Sequence, residues 1–106
     1  MSRASTPRSV TVLETVRQRR ADIARIASKH GARDVYVFGS VARGDARSDS
    51  DIDFLVTMDG GRSLLDLGGL WMDLEALLER KVDVVTRGGL APRLRDRIEA
   101  DAVPLL

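Results

Sequence analysis

Two carboxylates, Asp51 and Asp53, stand one residue apart, and a Gly39-Ser40 pair precedes them by a ten-residue interval. In an extended strand, side chains alternate between faces, so Asp51 and Asp53 project to the same side. At a separation of ~6 Å and an effective dielectric near 20, such a pair repels by roughly 3 kcal/mol. Solvent can relieve that repulsion, or a divalent cation can use it. A third carboxylate, Asp83, interrupts the apolar run Val82-Asp83-Val84-Val85. A buried carboxylate there would be costly unless paired, metal-bound or at the sheet surface. Placed beside Asp51 and Asp53 and facing the same way, Asp83 completes a three-carboxylate site. Oxygen ligands without a nearby histidine suit Mg²⁺ or Mn²⁺ rather than zinc. Two ions ~3.5–4 Å apart could clamp both ends of a phosphoryl or nucleotidyl transfer. Gly39 permits close approach of the backbone to a ligand, and Ser40 adds a hydroxyl donor. A helical turn opening at Ser40 or Val41 would aim free amides at a triphosphate. Arg43 and Arg47 lie in the same loop, where they can neutralise phosphate oxygens, with Asp45 a competing partner for Arg43.

The rest of the chain must position these groups. Thr11 and Glu14 fit a capping box that opens a helix. Val12, Val16, Ile23, Ala27 and His30, with Ile26 alongside, continue it at helical spacing to Gly31. The cluster Arg17, Arg19 and Arg20 forms its solvated face. Val35–Phe38 reads as a strand, residues 39–50 as a loop with a brief helical turn, and Asp51–Val56 as a second strand. A helix from about Leu65 or Leu67 to Leu78 buries Leu67, Leu70, Leu74, Leu77 and Leu78, its start weakened by Gly68 and Gly69. Val82–Thr86 is a third strand. A helix over 90–101 turns Leu94 and Ile98 inward, and 103–106 is an extended edge where Pro104 is tolerated. Asp49 reads as a turn former, Asp22 and Asp73 as solvent-facing, and His30 as structural. One of Trp71 and Met72 packs. The order predicts an α/β (α+β) domain, a small mixed sheet flanked by helices, over residues 10–106, with a flexible terminus over 1–9.

Composition narrows the chemistry further. The chain has 106 residues, a net charge of +1 and no cysteine, which excludes disulfides, a thiol nucleophile and Cys-ligated zinc. No run approaches the ~20 apolar residues of a membrane span, and a cytoplasmic location is expected. Twelve of the 16 acidic residues are Asp, and five fall between Asp45 and Asp59. Near-neutrality and only four aromatic residues give no strong nucleic-acid signal. An EF-hand would need Gly at Phe54 and Glu at Gly60, and neither a P-loop nor a GxSxG context is present.

The segments Phe38-Gly39-Ser40-Val41-Ala42-Arg43-Gly44-Asp45 and Ser50-Asp51-Ile52-Asp53-Phe54-Leu55-Val56, with Val82-Asp83-Val84-Val85-Thr86, resemble the DNA polymerase beta-like nucleotidyltransferase superfamily. The size resembles its minimal nucleotidyltransferase (MNT) members, antitoxins paired with helical HEPN-type toxins. That resemblance implies the polymerase beta-like fold and Mg²⁺-dependent transfer of AMP from ATP to a toxin hydroxyl, typically tyrosine. It implies that Gly39 and Ser40 hold the triphosphate, that Asp51 and Asp53 bind metal, and that Asp83 completes the metal site and helps activate the attacking hydroxyl. Glu79-Arg80-Lys81 departs from the Gly that often precedes the third strand in such domains. Two other readings stay open: neutralisation of a helical toxin by docking alone, and transfer to a small molecule or an RNA end. A homo-oligomer is also left open, since a dimer could build a composite acceptor site.

Overall fold

A computed structural model describes residues 11–47 and 49–106; the expected flexible terminus over 1–9 lies outside them. Helix α1 spans Val12–Gln18 and α2 spans Arg20–His30. The Thr11 hydroxyl accepts from the Glu14 amide at 3.0 Å, and the Glu14 carboxylate accepts from the Thr11 amide, so the capping box opens α1 as expected. The single long helix read from the periodicity is instead two. Arg19 leaves helical geometry (φ −99°, ψ 16°), while its amide bonds back to the Val16 carbonyl. Arg19 then faces solvent and pairs with Asp22 at 3.2 Å. Apolar spacing survives the break because Val16, Ile23 and Ala27 are all buried. Gly31 (φ 80°) closes α2 in the left-handed region.

Strand β1 covers Ala32–Phe38, α3 covers Gly39–Arg43, β2 covers Ile52–Met58, α4 covers Leu64–Leu78 and β3 covers Val82–Thr86. After a 3₁₀ turn at Arg87–Gly89 come α5, Pro92–Asp101, and β4, Val103–Pro104. The sheet order is β3-β2-β1-β4. β1 runs antiparallel to β2 and to β4, and β2 runs parallel to β3, so the sheet is mixed. β4 is the short edge expected around Pro104.

One sheet face carries Val35, Val37, Ile52, Phe54, Val56, Val82 and Val84, all buried in the core with Leu70 and Leu74 of α4 and Ile23 and Ala27 of α2. α4 begins earlier than the leucine spacing indicated, because Ser63 and Asp66 form a second capping box. Gly69 owes its small size to packing: an added Cβ would lie 2.6 Å from the His30 ring. His30 is structural, its Nε2–H donating to Asp73 Oδ2 at 2.7 Å. Asp73 is therefore an anchor between helices rather than a free surface acid. Asp22 likewise pairs with Arg19 and Arg25. Trp71 packs against the core while Met72 is exposed. Leu94, expected inward, is 44% exposed, because α5 lies at the margin of the sheet and buries none of its residues fully.

Candidate functional site

The opposite face of the sheet carries the polar groups. Ile52 and Phe54 are buried in the core, so the two-residue period of β2 turns Asp53 to the other side, half-buried. Asp53 is paired in register with Phe38 of β1 and with Asp83 of β3. Residues directly opposite on neighbouring strands share a face and sit ~4.8 Å apart along the hydrogen-bonding direction. Asp83 is exposed on the edge strand, and Asp51, just before β2, is exposed as well. Burial first, then the negative charges of Asp83 and Asp51, pushes the Asp53 carboxyl above the ordinary aspartate value, and Arg43 only partly offsets this. The charges of Asp83 and Asp51 thus reach the Asp53 carboxyl.

The chain leaves β1 directly over this row. Gly39 has φ 74°, and a Cβ there would lie 2.5 Å from Asp53 Oδ2. Only glycine lets the backbone approach the carboxylate this closely. α3 then starts at Gly39 with no side-chain cap, carries Ser40 in its first turn, and ends on the left-handed Gly44. The helical turn anticipated at Ser40 or Val41 begins one residue earlier.

The two arginines differ. Arg43 Nη1 donates to Asp101 of α5 at 2.8 Å and Nε to Asp45 at 3.4 Å. Those carboxylates, Asp101 first, raise the pKa of its guanidinium. Arg43 therefore ties α3 to α5, with Nε and Nη1 committed to carboxylates. Arg47 is exposed, and its amide donates to Ser50 Oγ at 2.8 Å.

Three residues outside the motifs also shape the site. The Trp71 indole donates to the Val82 carbonyl at 2.9 Å, and Glu75 accepts from the Val82 amide at 3.1 Å. α4 thereby covers the outer edge of β3 one residue before Asp83. Arg80 donates to the carbonyls of Arg47, at 3.0 Å, and Ser50. Its place in Glu79-Arg80-Lys81 was the only sequence hint. In that turn Glu79 itself takes the left-handed conformation (φ 53°, ψ 41°) in place of the expected Gly.

The donor set suits a hard cation. Every candidate ligand is a carboxylate, cysteine is absent, and His30 is committed to Asp73. Among the described residues no three acidic side chains converge on a single point as placed. Mg²⁺ does not require that, since it commonly takes one or two carboxylates and completes its shell with water and substrate phosphate oxygens. The uncompensated charge around Asp53 fits that demand.

Residues 13–105 match the family described as "Nucleotidyltransferase domain". The chain belongs to this nucleotidyltransferase family. Among curated relatives, "Putative protein adenylyltransferase MJ0435" of Methanocaldococcus jannaschii is 46% identical over 76% of this chain and 87% of its own length. A solved structure described as a "putative minimal nucleotidyltransferase" superposes with a TM-score of 0.80 and 51% identity, covering 91% of this nucleotidyltransferase and 98% of that chain. The polymerase beta-like MNT resemblance and the mixed α+β fold are thereby confirmed. A structure of a tri-AMPylated Shewanella oneidensis HEPN toxin in complex with MNT antitoxin shares the fold. Its TM-score is 0.65 at 19% identity, over 85% of this chain and 71% of that one. Among the described residues, no helix of the nucleotidyltransferase is long and apolar enough to cross a membrane.

Proposed function

We propose that this nucleotidyltransferase is a protein adenylyltransferase that moves AMP from ATP to a hydroxyl, a tyrosine of a HEPN-type toxin, and so acts as an antitoxin. The observation that carries the reading is the in-register Asp53–Asp83 pair with the Gly39 backbone laid against Asp53. The name of the 46%-identical relative supports protein adenylylation, and the MNT antitoxin complex of the same fold supports the partner.

Asp51, Asp53 and Asp83 would hold Mg²⁺, two ions in the fullest arrangement. When bound, the metal supplies positive charge to the triphosphate and to the charge that develops at the α-phosphorus. Gly39 and Ser40 hold the triphosphate through the exposed amides of α3 and the serine hydroxyl, with Arg47 free to follow the outer phosphates. Asp53, half-buried, fixes the depth of the site. Asp83, exposed on β3, faces an incoming acceptor and takes the proton of its hydroxyl. The acceptor oxygen then forms its bond to the α-phosphorus as the bond to pyrophosphate breaks. The partner chain brings the hydroxyl.

The test is incubation with α-labelled ATP, Mg²⁺ and a HEPN-type toxin. Label is expected on the partner with wild type and on none with Asp53→Ala or Asp83→Ala. If the partner stays unlabelled and both variants still neutralise it, docking alone explains the activity and the transferase reading is wrong.

A further inference from the structure

We propose that Arg80 is a positioning residue for the site: it holds the loop that ends in Asp51 and thereby sets that carboxylate for metal. The proposal rests on the reading of Asp51 as a metal-binding carboxylate. Asp51 is the one of the three acids that lies in no strand. Asp53 and Asp83 are fixed by β-ladder bonds, whereas Asp51 depends on its neighbours for its position. On one side, the Ile52 amide bonds to the Lys81 carbonyl at 3.1 Å. On the other, the loop closes on itself: the Ser50 amide donates to the Arg47 carbonyl at 3.0 Å, and Ser50 Oγ accepts from the Arg47 amide.

Arg80 joins these parts. From the α4–β3 turn its guanidinium reaches the carbonyls of both Arg47 and Ser50. Both bonds come from one guanidinium nitrogen, Nη2, whose two N–H donors serve the two carbonyls. Arg80 also lines one concavity together with Asp49, Ser50, Asp51, Glu79 and Lys81. Among the described residues it forms no ion pair despite the acids beside it. Its donors go to backbone carbonyls instead, leaving the Asp51 carboxylate available. The same turn leads directly into Val82 and Asp83, so Arg80 ties the stretch carrying one carboxylate to the stretch carrying another.

Groups that hold a metal ligand in place commonly change metal affinity by about 10- to 100-fold when removed. The experiment compares wild type, Arg80→Ala, Arg80→Lys and Asp51→Asn by three measurements. Mn²⁺ binding is followed by electron paramagnetic resonance without nucleotide, amide exchange over residues 49–52 is followed in metal-free protein, and turnover is titrated with Mg²⁺ at saturating ATP. Arg80→Ala is expected to weaken Mn²⁺ binding and raise the Mg²⁺ half-saturation by about tenfold. Exchange over 49–52 should accelerate, the KM for ATP at saturating metal should hold, and Arg80→Lys should recover part of the loss. Unchanged Mn²⁺ binding in Arg80→Ala, with Asp51→Asn impaired, overturns the proposal and leaves the Asp51 reading standing. Wild-type Mn²⁺ binding in Asp51→Asn removes the reading itself, and the proposal with it. If Arg80→Ala does not fold, Arg80→Lys decides: unchanged metal affinity together with unchanged exchange refutes the role.

Discussion

Replacing Asp53 by Asn should make the metal-free protein more stable while removing its activity. Asp53 lies across from Asp83 in register, and the Asp51 charge acts on it from just before the strand. For carboxylates ~6 Å apart, Coulomb's law gives roughly 3 kcal/mol at a dielectric of 20 and under 1 kcal/mol in bulk water. Asp83 and Asp51 are exposed, so the lower half of that range applies to each. Arg43 offsets part of the repulsion, and the burial of Asp53 adds to it. The net release on neutralising Asp53 is about 1–2 kcal/mol, which for a domain this size raises Tm by roughly 5–10 °C. The sign with pH follows from the raised folded pKa. Ionised Asp53 is penalised in the folded state, so the penalty is full above its folded pKa. It disappears as pH falls to the unfolded value of ~3.9. Thermal melts of wild type and Asp53→Asn in EDTA should therefore diverge most at neutral pH and converge near pH 4. An Asn variant equal to or less stable than wild type at pH 7 would show that the carboxylates do not repel one another in the fold, and the argument for a metal-demanding site would lose its basis.

Three further outcomes are expected. Gly39→Ala should lose transferase activity far more than stability, because the new Cβ meets Asp53 Oδ2, the movable end of that side chain, while the left-handed backbone costs only ~1–2 kcal/mol; activity and denaturant melts on one preparation check the split. Glu79→Gly should stabilise the protein by about 1 kcal/mol, read as a rise in urea midpoint, since Glu79 closes α4 at φ 53°. The hydrogen bond from His30, helped by the Lys29 charge and opposed by burial, lowers the Asp73 pKa. Its stabilising contribution is therefore present above ~3.9 and lost as pH falls through the lowered folded value, so an Asp73→Asn variant should differ from wild type at neutral pH and match it in strong acid.

The carboxylates proposed for the chemistry are legible in the sequence because their signals are local. Period two turns Asp53 away from the buried Ile52 and Phe54 whatever the partner strand, and an aspartate inside Val82–Val85 stands out against its apolar neighbours. Signals that depend on distant parts of the chain were not readable. Arg43 could be paired with the nearby Asp45 from sequence, but not with Asp101, 58 residues away, which only the return of α5 brings close. The same holds for Arg80, whose carbonyl partners are 33 and 30 residues upstream. The break at Arg19 was hidden because the apolar positions on either side stay in phase with one helix. Helical spacing alone does not turn Leu94 inward, because α5 meets the sheet only at its margin. α4 starts before its leucine repeat because the Ser63–Asp66 capping box, not the apolar spacing, sets its first turn.

The chain's only tryptophan is bonded through its indole to the carbonyl of Val82, the residue immediately before Asp83. Indole emission responds to the polarity and hydrogen bonding around that ring nitrogen. The protein thus carries its own optical reporter, one peptide unit from the sheet-edge carboxylate. Titration with cation, nucleotide or partner can be followed in the unmodified chain without a label, and Trp71→Phe provides the dark control.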